Sequence, residues 1–148
     1  MRLVIYVSRY CGSADHIEQA LRDIQGVSKI RNPAQGITGV LFYQNRHFLQ
    51  ALEGEDEAVQ ALIAVLQGDP RHEDIQFLVD IPISERHFEK WNMDCLNLDN
   101  TALFTSETLI KLHDAYSRNV QISDAAFVGL LQEMLNTPGV EEILREQK

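Results

Sequence analysis

The segment from residue 31 to residue 54 reads Arg31-Asn32-Pro33-Ala34-Gln35-Gly36-Ile37-Thr38-Gly39-Val40-Leu41 and then Phe48-Leu49-Gln50-Ala51-Leu52-Glu53-Gly54, a pattern that few folds accommodate. Pro33 disfavours helical backbone in the residue before it, so a helix arriving from the N-terminal side is expected to end near Asn32. Gly36 and Gly39 punctuate the approach to a strand that runs to Tyr43. The polar Gln44-Asn45-Arg46 then turns the chain into a second strand, His47 to Glu53, giving a hairpin. Asn32 at the helix end and Gln50 within the apolar hairpin strand are amides that both donate and accept hydrogen bonds.

The rest of the pattern extends this unit. Arg2 to Ser8 alternates Leu3, Ile5 and Val7 with Val4, Tyr6 and Ser8, both faces being largely apolar, as in a central strand. Ser13 is a candidate cap for a helix in which Ile17, Leu21, Ile24 and Ser28 recur at helical spacing. After Gly54 the acidic Glu55-Asp56-Glu57 suits a helix N-terminus. Val59, Leu62, Ile63 and Leu66 form its apolar stripe, and Gly68 ends it. Ile75 to Ile81 and Asn92 to Leu98 read as two further strands. The order βαββαββ predicts an α+β, ferredoxin-like sheet with both helices on one face.

Beyond Asn100 the pattern becomes helical. Thr105 or Ser106 caps a segment carrying Leu109, Leu112 and Tyr116, and Ser123 caps another carrying Phe127, Leu130, Leu131 and Met134. Thr137-Pro138 opens a last turn from Val140 to Leu144. These helices are expected to cover the second sheet face, dividing the chain into a unit of residues 1–100 and a helical extension of residues 101–148. No internal repeat, low-complexity segment or flexible linker interrupts the pattern.

Charge narrows the partners. With 22 acidic against 13 basic residues and a net charge of -9, the chain is a poor match for nucleic acid or anionic membrane, and a small ligand and protein partners are expected. Cys11 and Cys95 are too few for a disulfide framework and lack metal-ligand spacing. The first strand begins almost at Met1, leaving no room for a leader, and no apolar run approaches the ~20 residues of a membrane span. A soluble, cytoplasmic protein is the expectation.

Several residues stand out chemically. Tyr6 in a strand is ordinarily a core residue whose hydroxyl has found a partner. An interior Gln50 is costly unless its amide is satisfied, and a facing Tyr6 hydroxyl would supply one bond. The remaining amide capacity suits a ligand with a mixed donor and acceptor edge. Trp91 and Met93 are two apart, so a regular strand places both on one face, where they read as two large apolar core residues. Asp69-Pro70-Arg71-His72 by itself is weak evidence of a site and reads as an ordinary capped turn with a surface ion pair. No Ser or Cys nucleophile with a matching acid is identifiable, and His16, His47, His87 and His113 are scattered.

Taken together, Tyr6 in the first strand, the Asn32-to-Gly39 turn, Phe48-Leu49-Gln50, Asp69-Pro70-Arg71-His72 and Phe88-Glu89-Lys90-Trp91-Asn92-Met93 resemble the BLUF family, the sensors of blue light using flavin, over roughly the first two thirds of the chain. The resemblance implies a noncovalent flavin, FAD before FMN or riboflavin, held by Tyr6, Ile24, Ser28, Arg31, Asn32, Gln50, Leu66, Asp69, Arg71 and His72. Ile24 and Leu66 would sandwich the ring, and either is equally readable as a core residue. Arg31 departs from the family, many of whose members carry a second asparagine there. A guanidinium donates but cannot accept, so it suits a flavin carbonyl or phosphate, or merely a solvated helix end.

The resemblance further implies that blue light moves an electron and a proton from Tyr6 to the flavin. Gln50 is then left rotated or tautomerised, and the absorption shifted to the red. Trp91 and Met93 would pass the change through the fifth strand to the C-terminal helices and a protein partner. A homo-oligomeric, non-enzymatic photoreceptor is the expected reading. The alternatives are a light-regulated or simple flavin-dependent enzyme and a constitutive ferredoxin-like interaction module without flavin.

Overall fold

The structure, a computed structural model, describes residues 1–117 and 122–146, so residues 118–121 and 147–148 of the expected extension lie outside the described residues. The elements are β1 (Arg2–Tyr10), α1 (Ile17–Ala34), β2 (Thr38–Gln44), β3 (His47–Gly54), α2 (Asp56–Gln67), β4 (His72–Pro82), β5 (Asn92–Asn97), α3 (Ser106–Tyr116), α4 (Asp124–Leu135) and α5 (Val140–Glu146). Among the described residues the strands form one sheet in the order β4-β1-β3-β2-β5, antiparallel except where β5 joins β2 in parallel. Two split βαβ units with a fifth edge strand make this the ferredoxin-like α+β fold anticipated from the pattern.

The two sheet faces carry separate cores, as strand alternation requires. Tyr6, Leu41, Phe48, Leu52, Met93 and Cys95 pack with Ile17 and Leu21 of α1 and Leu62 of α2. Leu3, Ile5, Val40, Leu49, Ala51 and Leu96 pack instead with Leu112 of α3, Leu131 of α4 and Val140 of α5. The C-terminal helices thus cover the face opposite α1 and α2. Thr105 caps α3 by accepting from the Thr108 N–H at 3.2 Å, and Ser123 caps α4 by accepting from that of Ala126 at 3.1 Å. Ser13 caps a short 3-10 turn, Ala14–His16, that leads into α1.

Three local expectations are corrected. Strands β1 and β4 run longer than the apolar alternation suggested, pairing from Arg2 to Tyr10 through two register shifts that obscure the period. Leu98 leaves β5 for a 3-10 turn, Leu98–Asn100. Helix α1 does not stop at Asn32 but contains Pro33 and ends at Ala34. A proline this close to the end removes one hydrogen bond, the one its N–H would make to the Lys29 carbonyl. That carbonyl receives the Asn92 Nδ2 at 3.5 Å, while Lys29 Nζ returns to the Asn92 carbonyl at 3.1 Å and to Asp94 Oδ1 at 2.5 Å. The N-terminus of β5 thereby satisfies the group that the proline leaves open.

Candidate functional site

The register of β1 against β3 sets Tyr6 directly opposite Gln50, and the register of β2 against β3 sets Leu41 opposite Gln50 from the other side. All three point to the face covered by α1 and α2. Tyr6 is 3% exposed and Gln50 4%. The Tyr6 hydroxyl donates to Gln50 Oε1, and Gln50 Nε2 donates to Met93 Sδ at 2.9 Å. Burial, reinforced by the charge of Asp69, raises the Tyr6 phenol well above its ordinary pKa, so the proton stays on its oxygen. The buried Gln of the sequence is therefore satisfied at both ends of its amide.

Above this pair lies a cavity of about 510 Å³ between α1 and α2. Nine of the anticipated residues line it: Tyr6, Ile24, Ser28, Arg31, Gln50, Leu66, Asp69, Arg71 and His72. The tenth, Asn32, is not among the lining residues; it adjoins Arg31 of the wall and is 1% exposed, with its Nδ2 unpartnered. The sequence reading did not name Val27, Leu41, Phe48, Val65, Gly68 or Pro70 among the cofactor-holding residues, and these complete the wall. Helical spacing contained part of this, because Ile24, Val27, Ser28 and Arg31 stand at i, i+3, i+4 and i+7 on one face of α1. Val27 and Val65 are 56% and 57% exposed, so apolar surface flanks the mouth from both helices.

The rim is less open than its residue types suggested. Asp69 accepts from the Arg71 backbone N–H and from Arg71 Nε, each at 2.9 Å, and this pairing holds the carboxyl below its usual range. His72 bridges Ser8 Oγ at 2.7 Å through Nδ1 and the Leu66 carbonyl at 2.6 Å through Nε2. A carbonyl only accepts, so Nε2 carries the hydrogen. Both ring nitrogens are thus committed to the protein, and His72 fastens the end of α2 to β1.

Trp91 and Met93 do not share a face. Gly39 pairs with Asn92 and Val40 with Asp94, so Met93 is the extra residue of a bulge and takes φ of 53°. This turns Met93, fully buried, toward Gln50, while Trp91 packs with the core beneath the C-terminal helices. A Cβ at Gly39 would lie 3.1 Å from Met93 Cε and 2.0 Å from the Ala51 carbonyl oxygen, so only glycine leaves room there. Glu53, which the sequence reading passed over, is fully buried and accepts from the backbone N–H groups of His87 and Phe88, each at 2.6 Å. It pins the loop that delivers Trp91.

A family model described as sensors of blue-light using FAD, BLUF, matches residues 1–94. The chain is 32% identical over 100 residues to the photoactivated adenylate cyclase subunit beta of Euglena gracilis, a match covering 68% of this chain and 12% of that relative. Among solved structures, BlsA in its photo-activated state superposes with a TM-score of 0.75 at 29% identity, covering 92% of this chain and 96% of that one. The dark-state structure of BlrB, a BLUF protein, gives 0.71 at 30% identity, with 90% and 96% covered.

Proposed function

The chain belongs to the BLUF family of blue-light sensors, and on that premise we propose that it holds its flavin in the cavity between α1 and α2 with Tyr6 and Gln50 as the photoactive pair. The observation that carries this reading is the buried Tyr6 to Gln50 hydrogen bond in the wall of that cavity. The residues fit the group. Apolar Ile24, Val27, Val65 and Leu66 come from the two flanking helices, and the unpartnered Asn32 Nδ2 is a buried donor that a ring carbonyl would satisfy. The paired Asp69 and Arg71 offer polar groups for the cofactor's tail. FAD is the proposed cofactor, with FMN and riboflavin as the alternatives. When bound, the flavin supplies absorption of blue light and an excited state that takes up an electron.

The chain's own residues do the rest. Tyr6 holds a proton on its oxygen, and the hydrogen bond to Gln50 Oε1 is the path along which that proton moves. Gln50 is the switching group because an amide exchanges donor and acceptor ends by rotating. Rotation would turn Oε1 toward Met93 Sδ, replacing a donor and acceptor contact with two facing acceptors. Met93 already holds a left-handed backbone that costs a non-glycine residue on the order of 1 to 2 kcal/mol. Losing the Gln50 contact removes one of the interactions that keep it there.

Output then runs through β5 and the Trp91 to Met93 segment to the helices beyond Asn100, with residues 1–100 as sensor and 101–148 as the responding extension. The recipient is a separate signalling protein, and the chain forms homo-oligomers and catalyses no reaction of its own. The chain spans 12% of the length of the Euglena gracilis cyclase subunit that it matches, so the cyclase activity is not carried over. Among the described residues no helix is long and apolar enough to cross a membrane. A cytoplasmic location is proposed, in keeping with two cysteines, Cys11 and Cys95, that form no disulfide.

Titration of the flavin-free chain with riboflavin, FMN and FAD tests the reading. Stoichiometric binding with quenched flavin fluorescence is expected, tightest for FAD, whereas binding of none of the three would overturn it. Asn32→Ala should release flavin more readily, by the ~1 to 3 kcal/mol typical of an unmet buried polar group. Equal occupancy and affinity would place Asn32 outside the site. Met93→Ala should keep the spectral shift while reducing the light-dependent hydrogen exchange of residues 101 to 148. An equal response in wild type and variant, or in neither, would show that output leaves by another surface.

A further inference from the structure

Arg31 and Asn32 adjoin in the last turns of α1, the first in the cavity wall and the second beside it. Arg31 Nε donates to Asn32 Oδ1 at 3.3 Å, while Asn32 Nδ2 is buried without a partner. The Asn32 backbone is also fixed, since its carbonyl accepts from the N–H groups of Gln35 at 3.0 Å and Ile37 at 2.9 Å. What is left to decide is which way the carboxamide faces. A guanidinium offers donors and no acceptor, so only the oxygen end of the amide can meet Arg31. The NH2 end is then the free one.

From this we infer that Arg31 is a positioning residue: it turns the Asn32 carboxamide so that Nδ2 is presented as a donor, and the site therefore demands an acceptor from the cofactor at that point. An asparagine at position 31 would not do this, because its amide nitrogen sits on Cγ, one carbon short of the place that the arginine Nε occupies. The inference rests on the flavin reading proposed above. Its rival is a direct contact between the cationic end of Arg31 and a cofactor phosphate.

Side-chain geometry separates the two. Glutamine carries its Nε2 on Cδ, the same carbon that carries the arginine Nε, so Arg31→Gln keeps a donor in place and removes the charge. Arg31→Met places a methyl group there instead. Flavin-free wild type, Arg31→Gln, Arg31→Met, Asn32→Ala and the Arg31→Met/Asn32→Ala double variant would be titrated with riboflavin and with FAD. The Asn32 Nδ2 resonances would be followed by nitrogen-15 NMR in the flavin-free proteins.

Arg31→Met is expected to weaken riboflavin and FAD alike by about tenfold, the scale of one unmet buried hydrogen bond. Arg31→Gln should lose less than about threefold, and the double variant should match Asn32→Ala within about twofold, because the two residues act as one unit. The Asn32 Nδ2 resonances should move in Arg31→Met without any flavin present. A loss in Arg31→Gln as large as in Arg31→Met and confined to FAD would overturn the inference in favour of the phosphate contact. Full additivity with Asn32→Ala, or unmoved resonances in Arg31→Met, would overturn it as well. If wild type bound neither flavin, the functional reading would itself fall, a result distinct from each of these.

Discussion

Tyr6→Phe is expected to bind flavin and to lose the light-induced red shift altogether. The ring keeps its edge contact with Phe77 and its tilted packing on His72, so the buried wall of the cavity survives. What disappears is the hydroxyl that donates to Gln50 Oε1, and with it the proton that burial holds on the phenol. The orphaned acceptor should cost about 1 to 3 kcal/mol of stability, measurable as a lower urea midpoint. Absorption spectra before and after blue illumination check the photochemical half. A full, reversible shift in Tyr6→Phe would remove Tyr6 from the mechanism.

Gln50→Leu should have an equally large effect by a different route. Leucine nearly fills the volume and suits an apolar wall shared with Leu41 and Phe48, so the flavin should be retained. It has no donor or acceptor to exchange, so neither Tyr6 nor Met93 Sδ has an amide to respond to. Infrared difference spectra should show the light-induced carbonyl downshift abolished, and an undiminished downshift would contradict the assignment. Removing both partners offers an internal check on energetics. Tyr6→Phe/Gln50→Leu leaves no unmet polar group in the pair, so it should be more stable than the sum of the single losses predicts.

Strand parity grouped Tyr6 with Val4 and Ser8, and Gln50 with Phe48 and Leu52, while the register between β1 and β3 is what sets Tyr6 and Gln50 directly opposite each other. Helical spacing likewise put Ile24, Ser28 and Arg31 on one face of α1, where all three line the cavity. What the sequence could not display were departures from regular geometry. The bulge that separates Met93 from Trp91 breaks the period of two on which face assignments rest. Helix α1 continues through Pro33 because Asn92, about sixty positions away, reaches the stranded Lys29 carbonyl, a compensation that no local rule contains. The same holds for Glu53, whose acidic side chain in a hairpin strand reads as solvated until the loop at His87 and Phe88 closes over it. His72 and the Asp69 to Arg71 pair have the residue types of a ligand rim, yet much of their hydrogen-bonding capacity is spent within the protein.

The central claim is that a flavin beside Tyr6 and Gln50 makes this chain a reversible light switch, and the light-minus-dark absorption spectrum of the wild-type protein tests it most directly. The account predicts a small red shift of the flavin bands under blue light, formed by all of the bound flavin and decaying fully in darkness. A yellow protein whose spectrum does not move, or one that only bleaches irreversibly, would contradict it.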